Sequence, residues 1–242
     1  MTALRPFRTL ARAATLQGRG PMMRPTGTTP DRLKAVFFDF DGTLADSYPA
    51  ITASVNHVRA LHHLSPLPLP DVKRHVGRGA EHLLVHTVGV GDPAANAAAY
   101  RAHHPSVLRS GTKLLPGAAE ALRTLHGRGL RLAVCSNKPV AFTRELVSML
   151  GIASCLDAVL GPEDVARPKP AADMLLAGLS RLGVEKGEAL YVGDMTVDVE
   201  TARAAGVTVW VVPTGSDEAE TLKRARPDRM LRDLHELTPL LG

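Results

Sequence analysis

Four short segments of the chain combine carboxylates with a hydroxyl group and a lysine, and most of them follow apolar runs. In chain order they are Asp39-Phe40-Asp41-Gly42-Thr43, Ser136-Asn137-Lys138, Pro168-Lys169-Pro170 and Gly193-Asp194, with Asp198 four residues further on. Carboxylates gathered at this density would repel each other, so an opposite charge must compensate them. A lysine and a hard divalent cation can do this, and oxygen ligands in a small site favour Mg²⁺.

The apolar runs and the stretches between them alternate as strands and helices. Strands are predicted at residues 34–40, 130–135, 158–160, 189–192 and 207–212, and helices at 117–126, 140–150, 171–182 and 197–205. Such alternation indicates an α/β fold with a Rossmann-like parallel sheet and right-handed crossovers. Ligands bind at the carboxyl ends of the strands in open parallel sheets. The polar segments are therefore expected to meet at one edge of the sheet.

The interval between the first predicted strand and Pro116 breaks this rhythm, because it contains no good strand. Helices are predicted at 49–64, 71–88 and 93–108, with the Pro-rich stretch 65–70 as a rigid linker between the first two. A helical block of this size exceeds an ordinary loop and is predicted to be an inserted subdomain. The predicted domains are a core of residues 34–45 and 112–242 and an α-helical cap of residues 46–111.

The net charge of +5 resides in an N-terminal extension, residues 1–33. This extension has six arginines and one acid, whereas the rest of the 242-residue chain has 23 basic and 23 acidic residues. A neutral body with 4% aromatic residues gives no support for nucleic-acid binding. The extension has the composition of an organelle transit peptide, but a disordered tail or a start codon placed too early is the simpler interpretation.

Cysteine spacing and hydropathy bear on the compartment and on partners. Cys135 and Cys155 lack the spacing of a metal site, so a reducing compartment is expected. The expected location is cytoplasmic, with organelle import through the extension as the alternative. No apolar stretch reaches the roughly 18–20 residues that span a bilayer, so no membrane partner is expected. Monomer and homodimer both stay open.

The order and content of the four segments resemble the motifs of the haloacid dehalogenase-like (HAD) hydrolase superfamily. D-x-D-G-T-L at residues 39–44 is followed by a strand-end Ser, a Lys between prolines and G-D-x-x-x-D at residues 193–198. Four motifs in this order are far more specific than any one alone. Within the superfamily the chain is similar to phosphoglycolate phosphatases with a helical C1 cap. The resemblance implies a Mg²⁺-dependent phosphomonoester hydrolase that forms an aspartyl-phosphate and acts on a small phosphorylated metabolite.

The resemblance also implies catalytic and metal-binding roles for particular residues. Asp39 is the expected nucleophile, and Asp41 is the expected acid for the leaving group and then the base for water. Lys169 is expected to neutralise the charge on Asp39 and on the phosphate. Asp194 is an expected metal ligand, together with Asp39 and Asp41, the latter through its backbone carbonyl. Asp198 is expected to orient Lys169 or a metal-bound water.

A second group of motif residues is expected to bind the phosphate. Gly42 lets the backbone turn close to the phosphate. Thr43, Ser136 and backbone amides of Asn137 are expected to hold phosphoryl oxygens. Ser136 as a helix N-cap is the alternative, and both roles are compatible.

The predicted cap is the expected source of substrate specificity. Arg78 lies between two glycines, and it is expected to bind a substrate carboxylate or hydroxyls if the turn faces the active site. Lys73 and Arg74 are the reserve candidates. A solvated loop is an equally weighted alternative for this stretch.

Two further features of the cap have simpler structural explanations. Asp46 is expected to cap the first cap helix or to brace the hinge. The pairs His62-His63 and His103-His104 have no ligand partners at useful spacing, so surface or core placement is expected.

Other functions share these motifs or this fold. A sugar or amino-sugar phosphatase differs only in its substrate, and a β-phosphoglucomutase-like phosphomutase would depend on a bisphosphate activator. A catalytically silent binding protein is the non-enzyme alternative, and the intact motif acids and lysine argue against it.

Overall fold

The computed structural model describes residues 32–242, so most of the predicted N-terminal extension lies outside the described residues. The strands are β1 (Ala35–Phe38), β2 (Ala45–Asp46), β3 (Lys113–Leu114), β4 (Arg131–Cys135), β5 (Ala158–Leu160), β6 (Ala189–Gly193), β7 (Thr208–Val211) and β8 (Arg229–Met230). Six of them form one sheet in the order β5-β4-β1-β6-β7-β8. Every pairing in this sheet is parallel, which confirms the predicted Rossmann-like α/β core.

The helices fall into a group that covers the sheet and a group that lies between β2 and β3. In chain order they are α1 (Tyr48–Leu61), α2 (Leu69–Lys73), α3 (Ala80–Thr87), α4 (Pro93–Leu108), α5 (Ala118–Gly127), α6 (Val140–Met149), α7 (Asp173–Leu182), α8 (Thr196–Ala205), α9 (Ala219–Arg224) and α10 (Leu237–Leu240). No helix among these residues is both long and apolar enough to cross a membrane.

The central strand β1 is apolar at every position because both of its faces are covered. Val36 and Phe38 pack in the cluster that includes α5 and α6, whereas Ala35 and Phe37 pack in the cluster that includes α7 and α8. All four side chains are fully buried. The continuous apolar run in the sequence is therefore the signature of a buried parallel strand.

Helices α1 to α4, here called the helical insertion, have a hydrophobic core of their own. The prediction of one helix over residues 71–88 was wrong, because the chain forms α2 and α3 with a turn between them. Gly77 and Gly79 in this turn have φ values of 112° and 90°, which side-chain-bearing residues rarely adopt. The predicted helix 49–64 also ends early, at Leu61, and α2 begins inside the predicted linker.

The two segments that connect the main sheet to the helical insertion lie next to each other. Strands β2 and β3 are antiparallel, with Asp46 opposite Lys113. The Asp46 carboxylate lies 3.8 Å from the Lys113 ammonium, and it accepts a hydrogen bond from the backbone N–H of Tyr48 at 3.3 Å. Asp46 thus contacts both the hinge and the start of α1. The domain boundaries at residues 45/46 and 111/112 stay a prediction.

A glycine in α7 tests how tightly this helix packs on the sheet. A β-carbon added at Gly178 would lie 2.6 Å from the Phe37 ring. Alanine favours a helix by about 1 kcal/mol over glycine, but overpacking a core costs about 1–3 kcal/mol. Gly178→Ala is expected to lower the free energy of unfolding by up to about 2 kcal/mol in urea titrations. Gly127→Ala in α5, where a β-carbon meets nothing within 4 Å, is the control and should not destabilise. A Gly178→Ala protein more stable than the parent would contradict the packing.

Candidate active site

The sheet order brings the polar segments together at one edge. Because β1 pairs with β4 on one side and β6 on the other, Asp39 at the end of β1 lies between Ser136 and Asp194. Each of these residues directly follows or closes its strand, and each is buried. The parallel arrangement therefore places a nucleophile candidate, a hydroxyl and a metal-ligand candidate side by side, as expected from the sequence.

Lys169 joins two of the buried carboxylates. Its ammonium lies 3.0 Å from Asp39 Oδ2 and 2.7 Å from Asp198 Oδ1, and it also donates to the Tyr191 hydroxyl at 3.1 Å. Burial by itself would lower the pKa of Lys169, but the two carboxylates outweigh it and hold the pKa above its usual value. Lys169 therefore remains a cation although it is almost fully buried.

Both oxygens of Asp198 are engaged in positioning. Oδ1 accepts from Lys169, and Oδ2 accepts from the backbone N–H groups of Asp194 and Met195, each at 3.0 Å. A carboxylate at this place also suits the N-terminus of α8, where the helix dipole favours negative charge. Asp198 thereby fixes the loop that carries Asp194.

Asp194 is fully buried and held by two donors. The Thr43 hydroxyl donates to its Oδ1 at 2.6 Å, and the backbone N–H of Ser216 donates to its Oδ2 at 3.3 Å. Burial, with the negative charges of Asp198 and Asp39, raises the pKa of Asp194 well above its usual range. The hydrogen of the Thr43 hydroxyl is thus committed to Asp194, which differs from the expected use of Thr43 as a phosphate ligand.

The charges of this group fit a divalent cation. The carboxylates of Asp39, Asp194 and Asp198 each place an oxygen within 4.8 Å of the others, and Lys169 balances one of the three negative charges. Asp39 Oδ1 is buried and has no hydrogen-bond partner among residues 32–242. Burial raises the pKa of Asp39 to about 6, against the opposing effect of Lys169. An added charge of two would make the group neutral.

Asp41 lies on the same edge but has a separate set of partners. Its carboxylate accepts a hydrogen bond from the Ser47 hydroxyl and pairs with the Lys138 ammonium at 3.2 Å. Lys138 is 6% exposed, so the pair is a buried one. Neither Lys138 nor Ser47 was assigned a role from the sequence. The position of Lys138 directly after Ser136 and Asn137, at the end of a predicted strand, could have indicated that it lies in the site.

Asn137 and Gly42 fix the backbone around the site. The Asn137 side chain accepts from the Lys169 N–H and donates to the Lys169 carbonyl, both at 3.0 Å, and it also donates to the Gly77 carbonyl of the helical insertion. Gly42 has φ of 89°, and a β-carbon there would lie 2.5 Å from an Asp194 oxygen. The backbone can therefore approach this closely only with glycine.

The cationic candidates of the helical insertion lie outside the cavity beside Asp39. Arg78 is partly exposed and its guanidinium is 4.0 Å from Glu200 of α8. Arg74 pairs with Asp71 on the surface. Lys73 lies over the Tyr48 ring, 4.6 Å from its centre, and 3.4 Å from the Thr214 carbonyl. The specificity role of Arg78 stays a prediction, and this arrangement does not bring it to Asp39.

A small cavity separates the sheet edge from the helical insertion. Its volume is about 40 Å³, which holds only a few water molecules. The sheet side contributes the side chains of Asp39, Asp41, Ser136 and Lys138. The opposite wall comes from α3, α4 and the turn before α3, including Leu83, Tyr100 and His104. The catalytic candidates thus face a small space with walls from both the sheet edge and the helical insertion.

The fold and the buried acids with their lysine are those of an α/β protein with a candidate active site at the sheet edge, and comparison with known proteins identifies the family. Residues 36–212 match the family model of haloacid dehalogenase-like hydrolases. The chain therefore belongs to this family, as the motif resemblance predicted.

Curated relatives and solved structures agree with this assignment. The chain is 42% identical over 193 residues to a phosphoglycolate phosphatase of Rhodospirillum rubrum, covering 75% of this chain and 80% of the relative. It is 30% identical to the phosphoglycolate phosphatase of Escherichia coli K12, covering 87% and 93%. A predicted phosphoglycolate phosphatase from Haemophilus somnus has the same fold, with a TM-score of 0.82 at 23% identity over 87% of this chain and 98% of that one. The chain is thus a phosphatase.

The raised pKa of Asp39 predicts a pH-dependent gain of stability when its charge is removed. The pKa of the Asp39 carboxyl group rises from 3.8 to about 6 on folding. Between these two pH values the folded state therefore binds a proton that the unfolded state does not. Stability is then lost as the pH rises through the window of about 4 to 6. In chelator, Asp39→Asn is expected to raise the free energy of unfolding by about 1–3 kcal/mol at pH 8, and by much less at pH 4.

Urea titrations at both pH values would measure this gain. Asp71→Asn, at an exposed acid of α2, is the matched control and should show no such pH dependence. Destabilisation of the Asp39→Asn protein at pH 8 would contradict the assignment of uncompensated negative charge.

Proposed function

We propose that the chain is a Mg²⁺-dependent phosphomonoesterase that acts through an aspartyl-phosphate on Asp39. The observation that supports this best is the state of the Asp39 carboxylate. One oxygen is bonded to Lys169, and the other is buried beside the cavity without a partner in the described part of the chain. A carboxylate held at one oxygen presents the other for attack.

The proposed reaction has two steps that use Asp39 and Asp41. In the first, an Asp39 oxygen forms a bond to phosphorus while the ester oxygen departs with its electron pair and takes a proton from Asp41, which enters this step as the carboxylic acid and leaves it as the carboxylate. In the second, Asp41 removes a proton from water, and the water oxygen bonds to phosphorus and releases phosphate from Asp39. Ser47 and Lys138 orient the Asp41 carboxylate on the cavity side. These are the acid and base roles that one carboxyl group can perform in sequence.

The proposed ligands of the cation are carboxylate oxygens of Asp39 and Asp194 and the backbone carbonyl of Asp41. Asp198 is left out because each of its oxygens already accepts two hydrogen bonds, whereas each Asp194 oxygen accepts one. A small all-oxygen donor set with a phosphate partner favours Mg²⁺. When bound, this ion neutralises carboxylate charge and polarises the phosphoryl oxygens. Thr43 serves the site by positioning Asp194.

Ser136 and Asn137 are proposed to hold phosphoryl oxygens beside Asp39. Ser136 lines the cavity, as does Asn137, whose side chain is engaged elsewhere. The hydroxyl of Ser136 and the backbone amide of Asn137 are therefore the proposed donors. Gly42 contributes through its tight backbone turn next to Asp194. Donors placed in advance around the phosphoryl group supply electrostatic stabilisation without reorganisation.

The proposed substrate is a small phosphomonoester, and phosphoglycolate is the first choice. Two relatives at 42% and 30% identity carry the name phosphoglycolate phosphatase. The helical insertion leaves only a small cavity over the site, which disfavours protein and nucleic-acid substrates. We propose that the insertion acts as a cap that opens for entry and closes to exclude water.

A phosphate-release assay tests this proposal. Phosphoglycolate, sugar phosphates, amino-sugar phosphates and nucleotides are compared in Mg²⁺ and in chelator. Phosphoglycolate is expected to have the highest kcat/KM, and chelator is expected to abolish turnover. Asp39→Asn is expected to lower kcat by about 10³-fold or more, because an amide cannot accept the phosphoryl group.

Asp71→Asn provides the matched control and should retain activity. Full turnover in chelator would contradict the metal assignment, and near-normal turnover by Asp39→Asn would contradict the nucleophile. Preference for a sugar phosphate, or a requirement for a bisphosphate activator, would instead identify a sugar phosphatase or a phosphomutase.

A further inference from the structure

One wall of the cavity beside Asp39 has a distinctive composition. The helical insertion supplies this wall, and its lining residues are apolar or glycine except for Tyr100 and His104. Both lie on α4 one helical turn apart, so they share a face of the helix. The leaving group is the alcohol part of the substrate, which departs with the ester oxygen. On this wall, Tyr100 and His104 are the side chains that can form hydrogen bonds with a polar substituent of the leaving group.

The His104 ring is held in a fixed orientation. It is fully buried, and its Nδ1 lies 2.9 Å from the Ser54 hydroxyl of α1. Its ring stacks on Tyr100 with centroids 5.0 Å apart, and Phe142 of α6 lies at 5.0 Å on a tilted plane. The imidazole thus bridges the helical insertion and the core, and its rotation is restricted by contacts on several sides.

The second ring nitrogen of His104, Nε2, has no hydrogen-bond partner among the described residues. This nitrogen is also buried. Buried polar groups in proteins are nearly always hydrogen-bonded, and an exception calls for an explanation such as a missing ligand. Because Nδ1 is directed to Ser54 on the insertion side, Nε2 lies on the other side of the ring.

The charge state of His104 suits a hydrogen-bond donor. Burial lowers the pKa of this imidazole to about 3, and the positive charge of Lys138 adds to the effect. The ring is therefore neutral near pH 7 and carries one N–H. The Ser54 hydroxyl lies 2.9 Å from His104 Nδ1 and 3.2 Å from His103 Nδ1. Donation of its one hydrogen along the shorter contact, to His104 Nδ1, requires the His104 hydrogen to reside on Nε2. The charge of Lys138 also favours an anion in the same part of the cavity.

Resting on the function proposed above, we propose that His104 and Lys138 form the subsite for the carboxylate of the leaving group, with His104 Nε2–H donating to a carboxylate oxygen. Asp41, the proposed acid for the leaving oxygen, is bonded to Lys138, so this subsite adjoins the departing end of the ester. The substrate class is a short phosphomonoester whose alcohol carries a carboxylate. Arg78 then has no direct part in recognition, in keeping with its position near Glu200.

Two substitutions at His104 separate recognition from packing. Phenylalanine keeps an aromatic ring between Tyr100 and Phe142 but removes the donor. Glutamine places an amide nitrogen at about the distance of Nε2 and restores a donor. His126→Gln, on an exposed part of α5, is the matched control.

Each protein is assayed with phosphoglycolate and with 2-hydroxyethyl phosphate, in which a neutral CH₂OH replaces the carboxylate. We expect His104→Phe to lower kcat/KM for phosphoglycolate about 10- to 100-fold more than for 2-hydroxyethyl phosphate, mainly through KM, because a hydrogen bond to a charged group is lost. His104→Gln is expected to recover most of this selectivity. Thermal melts report whether each variant is folded.

The outcomes distinguish this inference from the proposed function. Wild-type protein without selectivity for phosphoglycolate would overturn the proposed substrate, and the carboxylate subsite with it. Selective wild-type protein with equal losses on both esters in His104→Phe, or with no loss, would overturn the subsite alone. Failure of glutamine to recover selectivity in a folded protein would also overturn the donor role.

Discussion

The structure depends on one buried ammonium group. Lys169 contacts the carboxylates of Asp39 and Asp198 and the hydroxyl of Tyr191. These partners come from the end of β1, from α8 and from β6, so a single cation connects three elements of the core. The Asn137 side chain adds the segment after β4 by bonding both backbone groups of Lys169. Removal of the Lys169 ammonium would leave the buried carboxylates of Asp39 and Asp198 without a counter-charge, which is far more costly than loss of a surface pair.

This network explains why the remaining charges of the site point to a cation. One lysine cannot balance three carboxylates, and Asp41 already has Lys138 as its partner. The high pKa of Asp194 expresses the same imbalance. The acids at the sheet edge thus contribute unfavourable electrostatics, and the apolar clusters on both faces of the sheet supply the stability that offsets it.

The sequence was sufficient for five of the six strands of the main sheet and for most of the residues at its edge. Strand ends mark the site because Asp39, Ser136 and Asp194 directly follow or close apolar runs in one parallel sheet. Two-residue strands such as β2, β3 and β8 carry no periodicity, so pattern analysis could not find them. The break between α2 and α3 could have been predicted if Gly77 and Gly79 had been treated as helix breakers.

Side-chain partners were harder to predict than positions. The Thr43 hydroxyl could bond either a phosphate or a neighbouring acid, and only the fold brings Asp194 within 2.6 Å. Surface or core placement was expected for His104, and it is buried. The sequence could not show that its Nε2 lacks a hydrogen-bond partner among the described residues, because this depends on how α4 packs over the sheet edge. Arg78 was a specificity candidate because of its charge. The direction of its side chain depends on the conformation of the turn before α3, and this could not be predicted from the sequence.

The central claim is that Asp39 becomes phosphorylated during turnover, and trapping the intermediate tests it most directly. Asp41→Asn protein lacks the base for the second step, so phosphoryl groups should accumulate on it. The protein would be mixed with phosphoglycolate and Mg²⁺, quenched in acid, digested and analysed by mass spectrometry. The account predicts one phosphoryl group on the peptide that contains Asp39 and none in the Asp39→Asn, Asp41→Asn double variant. Phosphorylation of another residue, or alcohol release by the wild-type protein without any phosphorylated Asp39 at early times, would contradict it.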